Sequence, residues 1–307
     1  MTERAVAIPW RLNLVIAAAQ IAVLGAILWT AGGVSVVWCA LVLAPLWGIV
    51  MNAVYSLIHE AEHNLFHPDP RVNDAAGVVL AALFPAPFHL LRQGHLGHHL
   101  RNRSDDEAFD LYFPEDSALW KRVQLYGILA GFYWAAVALS SVVALIRPSL
   151  LRPGGVRFDR PTAALLESLN PRYERLIRLE ALAIVLLHGA VTWLLSVPVA
   201  HYVIVLYGFG LSWSGFQYVH HFGTVRDVRR GARNLETWAL LDLVWLNHNY
   251  HLNHHLHPTV PWIHLPALAV GPEGERASLV RAYARMWRGP RLTTVRVQNP
   301  YAGLVVR

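Results

Sequence analysis

The chain has 307 residues, of which 55% are hydrophobic and only 15% are Asp, Glu, Lys or Arg. Soluble domains carry about 25% charged residues, so this composition excludes both an ordinary soluble domain and a disordered chain. The net charge of +6 comes from basic residues that flank apolar segments rather than forming one block, which argues against nucleic-acid binding. A single cysteine, Cys39, excludes internal disulfides and thiolate-ligated clusters.

Two long runs lack charged residues, and both predict membrane-spanning helices. Residues 12–58 and 181–225 contain no Asp, Glu, Lys or Arg. A helix needs about 20 residues to cross the hydrocarbon, so each run holds two spans. The first pair turns at 31–33 and the second turns near Pro198. The sequence therefore predicts an all-α integral membrane protein with four transmembrane helices.

Two further apolar stretches, 75–91 and 123–146, are each flanked by segments that belong on one side of the membrane. We expect both to form re-entrant or interfacial helices rather than single crossings. No linker separates independent domains, so we expect a single membrane-embedded domain over 1–307. Its more polar tail, 271–307, is predicted to be cytosolic.

Arginine asymmetry predicts the orientation. The two predicted turns are uncharged, whereas the Arg-rich stretches 147–178 and 226–233 fall on the opposite side. By the positive-inside rule that side is the cytoplasm. All histidine clusters fall there too, so we expect a cytosolic helical cap to hold them, with both termini inside.

Histidine is the compositional anomaly, because thirteen of the 17 histidines fall in four short stretches. These stretches include HEAEH at 59–63, HLGHH at 95–99, QYVHH at 217–221 and HLNHH at 251–255. Spacings of three and four residues place side chains on one helical face. The same spacing pairs Gln217 with His221, which favours His221 over His220 as a ligand.

Neutral imidazole is a ligand suited to iron, zinc, copper and nickel. One ion takes four to six ligands, so nine histidines are too many for one ion and suit two. The spacing therefore indicates a dinuclear site between helix ends at the membrane surface. The nine candidate ligands are His59, His63, His95, His98, His99, His221, His251, His254 and His255.

The remaining histidines have simpler interpretations. His67 lies outside the clusters, and His248 could contact a ligand without being one. Four histidines stand alone in the sequence, and we expect ordinary hydrogen-bonded roles for them: His89, His188, His201 and His264.

These motifs resemble the membrane fatty-acid desaturase and hydroxylase superfamily over about residues 50–270. HEAEHNLF at 59–66, followed by Asn73 and Asp74, is similar to the first histidine box of that family. HLGHH with Asp105 and Asp106 downstream is similar to the second. A further stretch is similar to the third histidine box. It runs from Asn247 through HLNHHLHP to the Pro-Trp pair at 261–262.

The resemblance implies two iron ions, with O2 as co-substrate, that abstract hydrogen from an unactivated C–H bond of a lipid acyl chain. It also implies that Gln217 lies near the metal, either behind a ligand or bound through a water molecule. Most of these enzymes take electrons from a separate donor, a ferredoxin, a rubredoxin or a cytochrome b5-like protein. We expect fatty-acyl desaturation in a bacterial cytoplasmic membrane, with hydroxylation or ketolation of a fatty acyl or carotenoid substrate as the alternative.

Two other functions remain open at this point. HEAEH also satisfies HExxH, the motif of zinc proteases, in which Glu60 would be the general base. That reading leaves both HxxHH clusters without a role. A metal transporter is the other rival, but it needs polar residues inside the spans, and the two charge-free runs supply almost none.

Overall fold

The structure of the chain, a computed structural model, describes residues 6–269 and 274–306. Within those residues four helices are long and apolar enough to cross a membrane. They are α1 (Trp10–Gly33), the helix Val36–Glu62, the helix Pro171–Leu194 and α10 (Val199–Val219). The prediction of an all-α membrane protein with four spans is confirmed.

Two of these spans are composite. Val36–Glu62 consists of α2 (Val36–Trp38), a π-helical turn (Cys39–Leu43) and α3 (Ala44–Glu62). Pro171–Leu194 consists of a 3₁₀ turn (Pro171–Tyr173) and α9 (Glu174–Leu194). The other helices are α4 (Pro70–Leu83), α5 (Phe88–Arg101), α6 (Ala118–Leu129), α7 (Phe132–Ile146), α8 (Arg160–Ser168), α11 (Ala239–Val244), α12 (His251–Leu256) and α13 (Leu279–Met286).

The two stretches expected to be re-entrant or interfacial are both bent helix pairs. The axes of α4 and α5 meet at 98°, and those of α6 and α7 meet at 87°. Gly131 lies at the second bend with a φ of +84°, and a Cβ there would lie 3.0 Å from the backbone of Leu211. Glycine suits this position because it adopts positive φ without a steric penalty. Whether these pairs re-enter or cross the membrane stays a prediction.

The helices α3 and α10 cross in backbone contact. A Cβ on Gly208 would lie 2.1 Å from the carbonyl oxygen of Ala44, and a Cβ on Gly48 would lie 2.8 Å from the carbonyl oxygen of Gly208. Small residues allow such close approach between helices in a membrane. Asn52 Nδ2 donates to Ser212 Oγ at 2.9 Å one turn further along. The crossing therefore fixes the two helices against each other.

The bundle has two chemically different ends. At one end the two predicted turns lie side by side, because His201 Nδ1 donates to the carbonyl of Ala31 at 2.9 Å. At the other end α3 and α10 both terminate at histidines. There Asn13, near the start of α1, donates to the carbonyl of Phe66 at 2.9 Å and accepts from Trp262 Nε1 at 3.0 Å.

A cap of short elements covers the histidine end. It contains α8, α11, α12, α13, a 3₁₀ helix (Trp262–Leu268) and two parallel strand pairs. The pairs are β1 (Leu111–Tyr112) with β4 (Arg291–Leu292), and β2 (Asn234–Glu236) with β3 (Arg276–Ser278). β1 lies between the second and third spans and β2 follows the fourth, and each pairs with the chain beyond 274. Part of the predicted tail is therefore folded onto the cap.

Candidate metal centre

The structure brings all nine predicted histidines together and divides them into two groups. Within each group the ring nitrogens that face one another lie within 4.8 Å. The five-histidine group contains His59, His63, His95, His99 and His254. The four-histidine group contains His98, His221, His251 and His255. Two groups of four and five donors match the count expected for two ions, although the role of each residue as a ligand stays a prediction.

Each HxxHH motif contributes to both groups. On α5, His95 and His99 are four residues apart and join the five-histidine group, whereas His98 joins the other. On α12, His251 and His255 join the four-histidine group, whereas His254 faces the first. The expectation of three imidazoles acting on one face was too simple, because a separation of three or four residues leaves an angular offset that divides the motif between two sites.

Nitrogen atoms converge in both groups. In the five-histidine group His63 Nε2 lies 2.7 Å from His95 Nε2, and His254 Nε2 lies 2.9 Å from His99 Nε2. In the four-histidine group His251 Nε2 lies 3.1 Å from His221 Nε2 and 3.2 Å from His255 Nε2. Nitrogens about 2.1 Å from a common ion lie about 3 Å apart at right angles, so these separations suit metal coordination.

Several ring nitrogens are buried with no hydrogen-bond partner among the described residues. These include Nε2 of His59 and Nδ1 of both His251 and His255. Unpaired buried polar atoms are costly in a folded protein, and a bound ion, water or ligand is a usual explanation. The donor set therefore fits a metal on an observation independent of the sequence motif.

Two rings of the four-histidine group have partners for the nitrogen that faces away from it. His98 Nδ1 contacts Glu107 Oε1, and His221 Nδ1 donates to the carbonyl of Gly231 at 2.9 Å. Such contacts place the proton on Nδ1 and leave the Nε2 lone pair for a metal. Burial opposes ionisation of Glu107, but His98 and Arg101 outweigh it and hold the pKa of this carboxyl below its usual range.

Burial favours the neutral form of several imidazoles of the metal centre. Burial lowers the pKa of His221, His251 and His254 well below the usual range, and it lowers the pKa of His63 to about 3. A neutral ring keeps the lone pair that coordination requires. The site is therefore ready to bind a cation at neutral pH without losing protons.

A buried charge network holds the second box against the end of α10. Arg103 and Asp110 form an ion pair with almost no exposure, and Tyr218 OH donates to Asp110 Oδ1 at 2.7 Å. The amide of Gly223 donates to Asp110 Oδ2 at 2.7 Å. This network fixes the position of His98 relative to His221, which follows Tyr218 by three residues.

Three other candidates from the sequence have different surroundings. Gln217 is half-buried on α10, one turn before His221, and its place near the metal stays a prediction. His220 packs against His251 but its Nδ1 donates to the carbonyl of Arg233 at 3.2 Å. Glu60 accepts a hydrogen bond from the amide of Trp262 at 3.1 Å through Oε2, so that oxygen is held by the chain rather than by the histidine groups.

The isolated histidines have ordinary partners, as expected. His89 Nδ1 pairs with Glu180 at 2.5 Å, and His188 contacts Tyr202 and the carbonyl of Ala82. His67 accepts from the amide of Asp69 at 2.9 Å and lies outside both groups.

A cavity of about 830 Å³ opens beside the five-histidine group. Glu62, His63 and His99 line it on the side of the metal centre. The rest of its lining is mostly apolar and includes Leu96, Leu100, Pro258, Leu304, Val305 and Val306. Val306 is held in this position, because its amide donates to the carbonyl of Ser168 at 2.9 Å.

The comparisons with known proteins agree with this geometry. The profile of the family described as fatty acid desaturase matches residues 33–289. The chain therefore belongs to the fatty acid desaturase family. Membership makes it an oxidoreductase of the membrane, and the paired histidine groups fit the metal site of such an enzyme.

A curated relative from Arabidopsis thaliana is named a temperature-sensitive sn-2 acyl-lipid omega-3 desaturase (ferredoxin), chloroplastic. It is 30% identical over 77 residues. The match covers 25% of this chain and 18% of the relative's length. It supports the family, and the relative's substrate and donor remain statements about that relative.

Two residues that matter to the site were missed from the sequence. Glu107 contacts His98, and Asp110 anchors the end of α10. Both follow the second box by fewer than twelve residues, but acidic residues in a polar loop carry no distinctive pattern. Only the return of that loop onto the cap brings them to their partners.

Proposed function

We propose that the chain is an O2-dependent oxidoreductase that desaturates the acyl chain of a lipid. The observation that carries this proposal is the convergence of nine imidazoles into two groups, in a chain whose family is that of the fatty acid desaturases. The net reaction removes two hydrogens from neighbouring carbons and reduces O2 to two waters. It consumes two protons and two electrons, which a separate donor supplies.

The metal in this proposal is a pair of iron ions. The five-histidine group would hold one ion and the four-histidine group the other, and the pair, when bound, supplies the activation of O2. Imidazole nitrogens suit iron as well as zinc, copper and nickel. Iron is chosen because the proposed chemistry needs a metal that changes oxidation state, which zinc does not do.

The chain's own residues position and shield this chemistry. Glu107 and the carbonyl of Gly231 hold His98 and His221 in orientation. Beneath the site, an aromatic cluster excludes water, since the ring of Trp213 lies 5.1 Å from that of Tyr55 and 4.8 Å from that of Phe84. Reactive chemistry on an unactivated carbon requires such exclusion of side reactions.

The cavity beside the five-histidine group supports an acyl substrate. Its leucine, valine and proline lining suits a hydrocarbon chain, and it reaches His63 and His99 directly. Ligand cavities of about 300–1,000 Å³ with mostly apolar walls and a few polar groups are typical binding sites for small molecules.

We further propose that the histidine end faces the cytoplasm of a bacterial cell. The Arg-rich segments of the chain lie at that end, and the opposite turns are uncharged. A ferredoxin is our first choice of donor, because the Arabidopsis relative's name specifies one. A rubredoxin or a cytochrome b5-like protein remains the other choice.

The test is metal analysis combined with product analysis. Purified protein should contain two irons per chain and convert labelled acyl lipids to products two mass units lighter, only with O2 and a reduced donor. His254→Ala should lose iron and turnover, whereas His201→Ala, at the other end of the bundle, should keep both. Zinc at one ion per chain with full activity, or turnover without O2, contradicts the proposal.

A further inference from the structure

One buried imidazole close to the metal centre has no assigned role. The ring of His248 lies 4.9 Å from that of His59, in the five-histidine group, and 5.4 Å from that of His251, in the four-histidine group. Its Nε2 is buried and has no hydrogen-bond partner among the described residues. It is therefore a tenth imidazole at the boundary between the two groups, with a nitrogen that no described residue satisfies.

The backbone just before this residue is held in an unfavourable conformation. Leu246 and Asn247 both have positive φ, at 50° and 55°. Asparagine tolerates this region, but leucine enters it rarely. Leu246 is nevertheless buried, and the amide of Asn247 donates to the carbonyl of Asp242 at 2.7 Å. Strained residues held by their surroundings cluster at functional sites, and here the strained pair directs the chain into His248.

We propose that His248 is a metal ligand of the four-histidine group, through Nε2. This inference rests on the two-ion centre of the proposed function. It makes both groups five imidazoles, and a six-coordinate ion in each would then keep one open position. Catalytic metal sites keep such a position for water or substrate.

The choice of group follows from the donor count and the contacts. Adding His248 to the five-histidine group would give six imidazoles and close its last position. The four-histidine group has room, and His248 contacts its central member, since His251 Nε2 is the atom that both His221 Nε2 and His255 Nε2 approach. Because His248 Nε2 lies outside the set of atoms within 4.8 Å, its ring has to turn toward the ion when the ion binds.

Two residues compete for the same position and serve as controls. Gln217 precedes His221 by one turn, and its amide oxygen is the alternative fifth donor. His220 packs against the same ring of His251, with centroids 4.6 Å apart, but its Nδ1 is paired with the carbonyl of Arg233. It is the matched control for losing a buried imidazole without losing a ligand.

The experiment measures cobalt binding to the full-length, metal-free protein in detergent, without substrate or donor. Wild type, His248→Phe, His248→Gln, Gln217→Ala and His220→Ala are titrated with Co²⁺ against a chelator, and the visible absorption of each complex is recorded. We expect both His248 variants to bind one of the two ions more than about 10-fold more weakly. Loss of a residue that only hydrogen-bonds a ligand costs about 10-fold at the least, and loss of a ligand should cost more. Their spectrum should change, because the coordination number of that ion falls.

His220→Ala should keep both affinities and the wild-type spectrum, and Gln217→Ala should lose less affinity than either His248 variant. Near-ultraviolet circular dichroism of the apo forms shows whether each variant is folded, and His248→Gln keeps a polar side chain if His248→Phe does not fold. Wild-type affinity and spectrum in a folded His248 variant overturn the inference, as does a loss confined to Gln217→Ala. If wild type binds only one ion, the proposed two-ion function is wrong. The inference about His248 is then tested by whether the affinity for that one ion depends on His248.

Discussion

The five-histidine group and the four-histidine group are built from the same two motifs but have different surroundings. His63 and His99 of the first line a cavity of about 830 Å³. In the second, His221, His251 and His255 are buried, and the rings of His98 and His221 are held from behind by Glu107 and the carbonyl of Gly231. The five-histidine group is therefore open toward a ligand and is called the open group below. The four-histidine group is enclosed by the chain and is called the enclosed group.

This difference indicates a division of labour between two neighbouring sites. The open group has the access that a substrate requires. The enclosed group has the fixed ring orientations that hold an ion in constant geometry, because outer partners orient the ligands of a metal. Variants that act on one group and spare the other therefore test the comparison directly.

The largest effect is expected from His251→Ala. His251 Nε2 approaches both His221 Nε2 and His255 Nε2, so its loss removes the central donor of the enclosed group. We expect turnover to fall to background and one ion to bind more than about 100-fold more weakly. Metal analysis after dialysis should find one ion retained in the open group. Equal loss of both ions would show that the groups are not separate sites.

A smaller effect is expected from Glu107→Gln. The amide keeps the size of the carboxylate but removes the charge that holds His98. Loss of such a partner costs about 10–100-fold in metal affinity or activity. Glu167→Gln, at an exposed position of α8, is the matched control. The metal affinity of each variant is measured by competition with a chelator. An unchanged affinity in Glu107→Gln would mean that the four-histidine group does not need the carboxylate of Glu107.

The open group is tested by narrowing its cavity with Leu100→Trp. A larger ring in the lining leaves less room for an acyl chain, and overpacking costs at least about 1 kcal/mol, or about 5-fold in KM. Metal content should not change. Leu119→Trp, on an exposed position 71% accessible, should leave KM as in wild type. A fall in iron content with constant KM would place the effect at the metal rather than at the substrate.

The smallest effect is expected from Glu60→Gln. Its Oε2 accepts from the amide of Trp262, and a glutamine oxygen can accept the same bond. The neutral bond is weaker by about 1 kcal/mol, which affects stability more than chemistry. Activity should therefore fall without being abolished. Complete loss of turnover with both ions retained would instead show that Glu60 takes a direct part in the chemistry.

Much of the fold follows from local signals in the sequence. The charge-free runs cover the apolar part of each of the four long helices, although the third begins at Pro171, ten residues before its run. Pro198 and the glycines near 32 mark the two turns because these residues end helices. The flanking segments predicted re-entrant or interfacial helices in 75–91 and 123–146, but not the bend in each, and the break at Gly131 depends on its contact with Leu211. Length, charge and helix-breaking residues decide these features without tertiary packing.

The sequence predicted which histidines form the site, but not how they divide into two groups. Histidine spacing identified the nine members of the two groups. It did not show that His98 and His254 would join a different group from the other two histidines of their own motif. That division depends on how α5 and α12 are placed against α3. It also did not find Glu107, whose position depends on a loop that folds back through the pair of Arg103 and Asp110.

The contact between Gly208 and Ala44 has a mechanical consequence for the metal centre. Where two backbones touch, the helices cannot approach further, so a change in their crossing angle turns them about this point. His221 lies about 20 Å beyond it on α10, and His59 lies about 16 Å beyond Gly48 on α3, at 1.5 Å per residue. A rotation of about 5° at the pivot moves the far end of α10 by about 1.7 Å. The distance between the two histidine groups therefore depends on the angle between α3 and α10, and side-chain volume at Gly208 sets that angle.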